Sequence, residues 1–164
     1  MWAVDETPFD LKVGTFQSIP ALGCSPDYIY KLEREDLRMA GLKFIDPDAV
    51  HFVEPINPNR MHPPERLRNE HVPLGGRAWR TLWQRRTEIP ESWWEICYHQ
   101  ELGFSQFYFD GMEIFNPHLY YCWAYLRRFK GQIYWGFTPT EYSWNGYAIP
   151  AIAMKPSRAL WGKK

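Results

Sequence analysis

The chain has 164 residues, with 19 Lys plus Arg against 19 Asp plus Glu, so its formal charge is zero. That is one domain's length. The balance argues against a nucleic-acid coat, which needs a basic excess to neutralise phosphates, and against an acidic disordered tail. No apolar run approaches the ~18 residues of a helical membrane span, so no transmembrane segment is expected.

In chain order, residues 1–24 read as an extended arm, with Pro8 and Pro20 and no apolar periodicity. A first helix is predicted over 25–40: Ser25 suits the N-cap, Pro26 the first helical position, and Gly41 the stop. Leu42 to Ile45 and Ala49 to Val53 read as short strands around the Asp46-Pro47 turn. The Pro-rich stretch 54–73 reads as a wrapping segment, because its prolines break any regular element. A second helix is predicted from Gly76 to Arg86, with Trp79, Leu82 and Trp83 on one side.

A third helix is predicted from Pro90 or Ser92 to Gly103, where Ser92 and Glu95 have capping-box spacing. Phe104 to Phe109, closed by Asp110-Gly111 and continued by Glu113 to Phe115, reads as a hairpin. The cleanest helical signal covers 117–130. Asn116 caps, Pro117 opens, Gly131 stops, and Leu119, Cys122, Trp123, Leu126 and Phe129 follow helical spacing. Two strands are predicted over 132–149, and an extended arm over 148–164. The fold class expected is therefore α+β: a mainly helical small core of about four helices plus short hairpins, spanning 25–147, with extended Pro-rich N- and C-terminal arms.

Catalytic motifs are scarce. Gly75-Gly76 lacks the Lys-Ser/Thr of a phosphate loop, and neither a GxSxG elbow nor an HExxH zinc helix occurs. Glu95 with His99, and His118 with Cys122, are each four apart on predicted helices. Were those helices adjacent, the four could converge on zinc, but spacings of four are common and packing roles are the plainer reading. His51, His62 and His71 have irregular spacing and read as loop residues. Cys24, Cys97 and Cys122 fit no metal or disulfide framework, which suits a reducing compartment or small buried side chains. Cys24 precedes a predicted helix N-terminus, which would activate it, but no base accompanies it. The start of the chain, Met1-Trp2-Ala3-Val4-Asp5-Glu6, resembles neither a signal nor a transit peptide. No cofactor is implied.

Composition supplies the functional expectation. Ten Phe, nine Trp, ten Tyr and 14 Pro exceed what a small core readily uses, and Trp, Tyr and Arg are enriched at partner contacts. Charge also changes sign in blocks: acidic to 58, Arg-rich over 59–88, acidic over 89–113, basic from 114. Arg77, Trp79, Arg80, Trp83, Arg85, Arg86 and Trp161 are the partner-binding candidates. The partners expected are other protein subunits or anionic lipid headgroups, with nucleic acid disfavoured by the zero net charge.

The first reading is thus a non-catalytic accessory subunit of a large assembly, placed peripherally on a mitochondrial energy-transducing membrane complex, or otherwise cytoplasmic. A virion component is an alternative. Another is an enzyme or ligand-binding domain with an aromatic pocket at 93–147, for which Glu95, Glu101, Asp110 and Glu113 are the acid–base candidates.

Overall fold

Phe104–Asn116 is the longest strand of the computed structural model, and most of the molecule is arranged along it. The structure describes residues 1–6, 11–12, 29–35, 37–39, 41–53, 70–116, 120–139 and 149–162. In chain order the strands are β1 (Trp2–Ala3), β2 (Leu11–Lys12), β3 (Ile29–Glu35), β4 (Phe44–Ile45), β5 (Val50–Val53), β6 (Val72–Pro73), β7 (Tyr98–His99), β8 (Phe104–Asn116), β9 (Tyr120–Phe129), β10 (Gln132–Pro139) and β11 (Ala151–Met154). The helices are α1 (Gly76–Gln84), α2 (Glu91–Ile96) and α3 (Arg158–Trp161).

The main sheet runs β10-β9-β8-β11-β5, with β3 and β7 also on β8, β6 on β11 and β2 on β3. Its one parallel pairing among the described strands is β8 with β11, through Tyr108 and Ala151. β1 and β4 form a separate two-stranded sheet.

This architecture corrects the expected helical core: the fold is mostly β, and α1 is its one helix longer than six residues among those described. The segment with the strongest helical signal, 117–130, contains β9 instead. Gly131 closes a hairpin there, not a helix: Lys130 and Gly131 take φ values of 49° and 77°, the left-handed pair of a two-residue turn between β9 and β10. Apolar residues stand on both faces of β9 because both faces are buried, and that erases the alternation that marks a half-exposed strand. Within the predicted helix 25–40, the described residues are strand β3 and a 3₁₀ turn at Leu37–Met39. The third predicted helix stops at Ile96, where the chain enters β7 and a turn.

The hairpin expected over 104–115 is also absent: β8 runs through Asp110-Gly111 as a bulge, setting residues 110–113 against Trp123 alone. Gly111 is required there. Its N–H donates to the Leu74 carbonyl at 2.9 Å, and a Cβ would overlap Pro73 O and the Leu74 carbonyl group. α1 and the strands at 44–45 and 50–53 agree with the sequence reading.

One sheet face carries the main core. Phe107, Phe109, Ala124, Leu126, Trp135 and Phe137 alternate along β8, β9 and β10 and are almost completely buried. Trp79 of α1 meets Trp135 edge-on at 5.5 Å, and Trp94 of α2 lies 5.4 Å from Phe107. Each buried indole or phenyl of this kind contributes roughly 2–3 kcal/mol of hydrophobic free energy.

Neither terminal segment is a detached arm where it is described. Val4 is buried, its N–H donates to Lys43 O at 2.9 Å, and Asp5 N–H donates to Thr81 Oγ1 on α1 at 2.9 Å. β11, within the expected C-terminal arm, is buried at every residue between β8 and β5.

Candidate functional site

The opposite face of the sheet is chemically different. The side chains of Phe104, Gln106, Tyr108 and Asp110 from β8 share it with Trp123, Tyr125 and Arg127 from β9 and with Tyr134, Gly136 and Thr138 from β10, as the strand registers dictate. Tyr108, Trp123, Tyr125, Ile149 and Ala151 form a second apolar cluster, with Val53 and Leu102 against it. Tyr108 lies 5.7 Å from Trp123 and 6.4 Å from Tyr125. Gly136 stands opposite Tyr125 in register, and a Cβ there would overlap the phenol, so the glycine makes room for the ring.

Polar groups are set among these rings. Gln106, Asp110 and Thr138 are all buried on this face. Burial pushes the Tyr108 phenol above its ordinary pKa, and hydrogen bonds with Thr138 and Gln106 oppose the shift without cancelling it. Tyr108 therefore stays a neutral O–H group at physiological pH.

Arg127 is the cation of this face. Its Nε donates to Gln106 Oε1 at 2.6 Å. The guanidinium carbon lies 4.0 Å from the Phe104 ring centroid and 4.9 Å from that of Tyr125. The residue is half-buried, and no carboxylate among the described residues pairs with it. Its neighbour Arg128 points to the other face and is bidentate to Glu91 of α2. Glu91 is accordingly held below the usual carboxylate range, chiefly by that hydrogen bond.

The partner-binding candidates are largely engaged within the chain. Trp79 and Trp83 are buried on α1. Arg86 lies over Trp83 at 4.1 Å and donates to its carbonyl at 2.9 Å, while Arg85 pairs with Glu88 at 3.2 Å. Trp161 packs on the main core and donates from Nε1 to Arg38 O at 2.7 Å. Arg77 and Arg80 are half-buried on α1.

The zinc constellation does not assemble. His99 lies in β7 and Cys122 in β9, not on adjacent helices. His99 pairs with Phe104, next to the Ser105–Arg128 pair, whereas Cys122 pairs with Ile114. Six residues of β9, about 20 Å at ~3.3 Å per residue, therefore separate the two ends. The His99 ring Nδ1 accepts from Leu102 N–H at 3.2 Å, Glu95 is exposed, and His118 lies outside the described residues. Among the described residues no group of three or more His, Cys, Asp or Glu could hold a metal ion. The acid–base candidates are scattered: Glu101 is exposed in the turn before β8, and Asp110 is buried at the bulge. Glu113 lies within β8. Cys24 and His62 lie outside the described residues.

Sequence spacing gave no hint of a contact between His51 and His71, whose ring centroids are 4.6 Å apart at 66°. Nor did it single out Gln106 and Arg127, because their meeting depends on the β8–β9 register. Comparison with protein-family models, with curated proteins and with solved structures returns no match, so the functional reading rests on the chain's own residues.

Proposed function

We propose that this chain is a non-catalytic binding domain that takes a small anionic ligand with a planar or apolar body on the second face of its sheet. One observation carries the reading. Arg127 is half-buried between Phe104 and Tyr125, its Nε is fixed by buried Gln106, and no carboxylate among the described residues neutralises it. Buried or half-buried arginines are normally paired, because desolvating a cation is costly. With Nε engaged, the outer guanidinium edge offers the two-pronged geometry that a carboxylate or phosphate accepts. Phe104 and Tyr134, both half-buried on this face, supply apolar surface for the rest of the ligand.

Calorimetric titration of the full chain with benzoate and with phenyl phosphate tests this. Binding is expected to at least one probe, and to weaken by about tenfold or more in Arg127→Gln, the loss of a charge-assisted pair. Arg85→Gln, remote from this face, is expected to bind as the parent does. No binding to either probe, or equal binding by Arg127→Gln, would overturn the reading.

A second reading, a subunit of a larger assembly, is favoured by Ile96 and Tyr98, which are 61% and 54% exposed two residues apart where α2 runs into β7. Co-purification with fixed partners from the source material, lost on Ile96→Ser with Tyr98→Ser, would support it. Purification of the chain alone would count against it.

A further inference from the structure

Where β5 and β6 flank β11, two imidazoles meet. Ala153 of β11 pairs with His51 of β5 on one edge and with Pro73 of β6 on the other. His71 lies two residues before Pro73, in the bend that leads into β6. The rings of the two histidines come to 4.6 Å, edge to face at 66°. His71 Nδ1 is buried, with no hydrogen-bond partner among the described residues. His51 is exposed, so its ring has room to turn.

We propose that His51 and His71 form a two-histidine site for a divalent transition-metal cation of borderline softness, such as Ni²⁺ or Zn²⁺. Neutral imidazole is the ligand of choice for these ions, and two rings this close can offer a nitrogen each to one ion. The angled rings suit convergence better than a parallel stack would, because lone pairs lie in the ring planes. A ring nitrogen of His71 without a partner is an available donor, and water completes the coordination. His51 is held below its ordinary pKa, first by loss of hydration and then by the neighbouring His71 and Lys155. Lys155 is exposed, and water and salt screen its repulsion of the ion. Hard ions such as Mg²⁺ prefer oxygen ligands to imidazole.

Calorimetric titration of the full chain with NiCl₂, ZnCl₂ and MgCl₂ at pH 7.5 decides the matter. A one-to-one site is expected for Ni²⁺ and Zn²⁺ and none for Mg²⁺, weakened by about tenfold or more in His51→Ala, which loses one of two ligands. His51 is exposed, and circular dichroism checks that this variant folds. His51→Gln, which keeps bulk but not the imidazole, is expected to match it. No Ni²⁺ or Zn²⁺ binding, or binding that persists unchanged in both variants, would overturn the site.

Discussion

Cys97 and Trp79 illustrate how strongly single side chains feel this interior. Cys97 is 3% exposed, and burial pushes its thiol up to about 12, against which its hydrogen bonds and the positive charge of Arg128 act only weakly. A thiol at that value carries almost no thiolate near neutrality, so it is inert to disulfide exchange. Native protein at pH 8 is expected to leave Cys97 unmodified by a chromogenic disulfide, and denaturant to release it. Identical labelling rates for native and unfolded chain, followed by peptide mapping, would contradict this. Trp79 has no exposed surface and meets Trp135 across the helix–sheet interface. Trp79→Ala is expected to cost about 3–5 kcal/mol in denaturant unfolding, from lost transfer energy and the cavity left behind. Arg85→Ala, which breaks an ion pair whose partners are 38% and 54% exposed, is expected to cost under ~1 kcal/mol. Similar costs for the two variants would show that α1 is not a core helix.

Among the elements, β8 and β9 explain which parts of the fold could be read from sequence. α1 was legible because its Trp79, Leu82 and Trp83 face a core while arginines face outward, which leaves a clear helical period. β9 was not legible. Its Cys122, Ala124 and Leu126 pack against the main core, while Trp123 and Tyr125 pack on the other face, so the run 122–126 has no polar position to mark a period of two. Asn116 and Gly131 read as helix caps in the sequence, although Asn116 ends β8 and Gly131 serves a hairpin. Burial survives the change of element at Cys122, Trp123 and Leu126, but Phe129 of the same stripe is 37% exposed and Leu119 lies outside the described residues; Arg128 reaches the acidic segment 89–113 at Glu91. The candidate site was invisible for a related reason, since Gln106 and Arg127 are 21 positions apart and meet only through register. The bulge in β8 is testable at this scale. Gly111→Ala places a methyl group on the Pro73–Leu74 backbone, which has no flexible side chain to yield. Destabilisation of about 2 kcal/mol or more is expected by urea titration, well beyond the ~1 kcal/mol gain a harmless Gly-to-Ala change can bring. An unchanged or raised midpoint would show that the two backbones are not in contact.

For the whole molecule, the decisive contribution comes from β11. β11 pairs with β5 on one edge and with β6 and β8 on the other, so residues 151–154 join the 50–53 and 72–73 segments to the β8–β9–β10 sheet. Leu74 N–H also donates to Ile152 O at 3.1 Å, and Tyr108 N–H to Pro150 O at 2.9 Å. All four residues of β11 are buried, and Ile152 and Met154 enter the main core while Ala151 enters the second cluster. The two clusters are therefore coupled through β11. Contacts between positions about 100 apart in sequence make folding slow, because the loop entropy is lost before the contacts form. A chain ending at residue 149 is expected to keep α1 and the β8–β9–β10 hairpins only as fluctuating structure. Removing β11 unpairs β5 and β6 and opens both clusters to water at once. Loss of the cooperative unfolding transition and of dispersed aromatic resonances would follow, while Lys155→Ala in the complete chain, an exposed change beyond the strand, should leave both intact. A cooperative transition in the shortened chain would instead mean that 151–154 is an appendage and that the sheet closes without it.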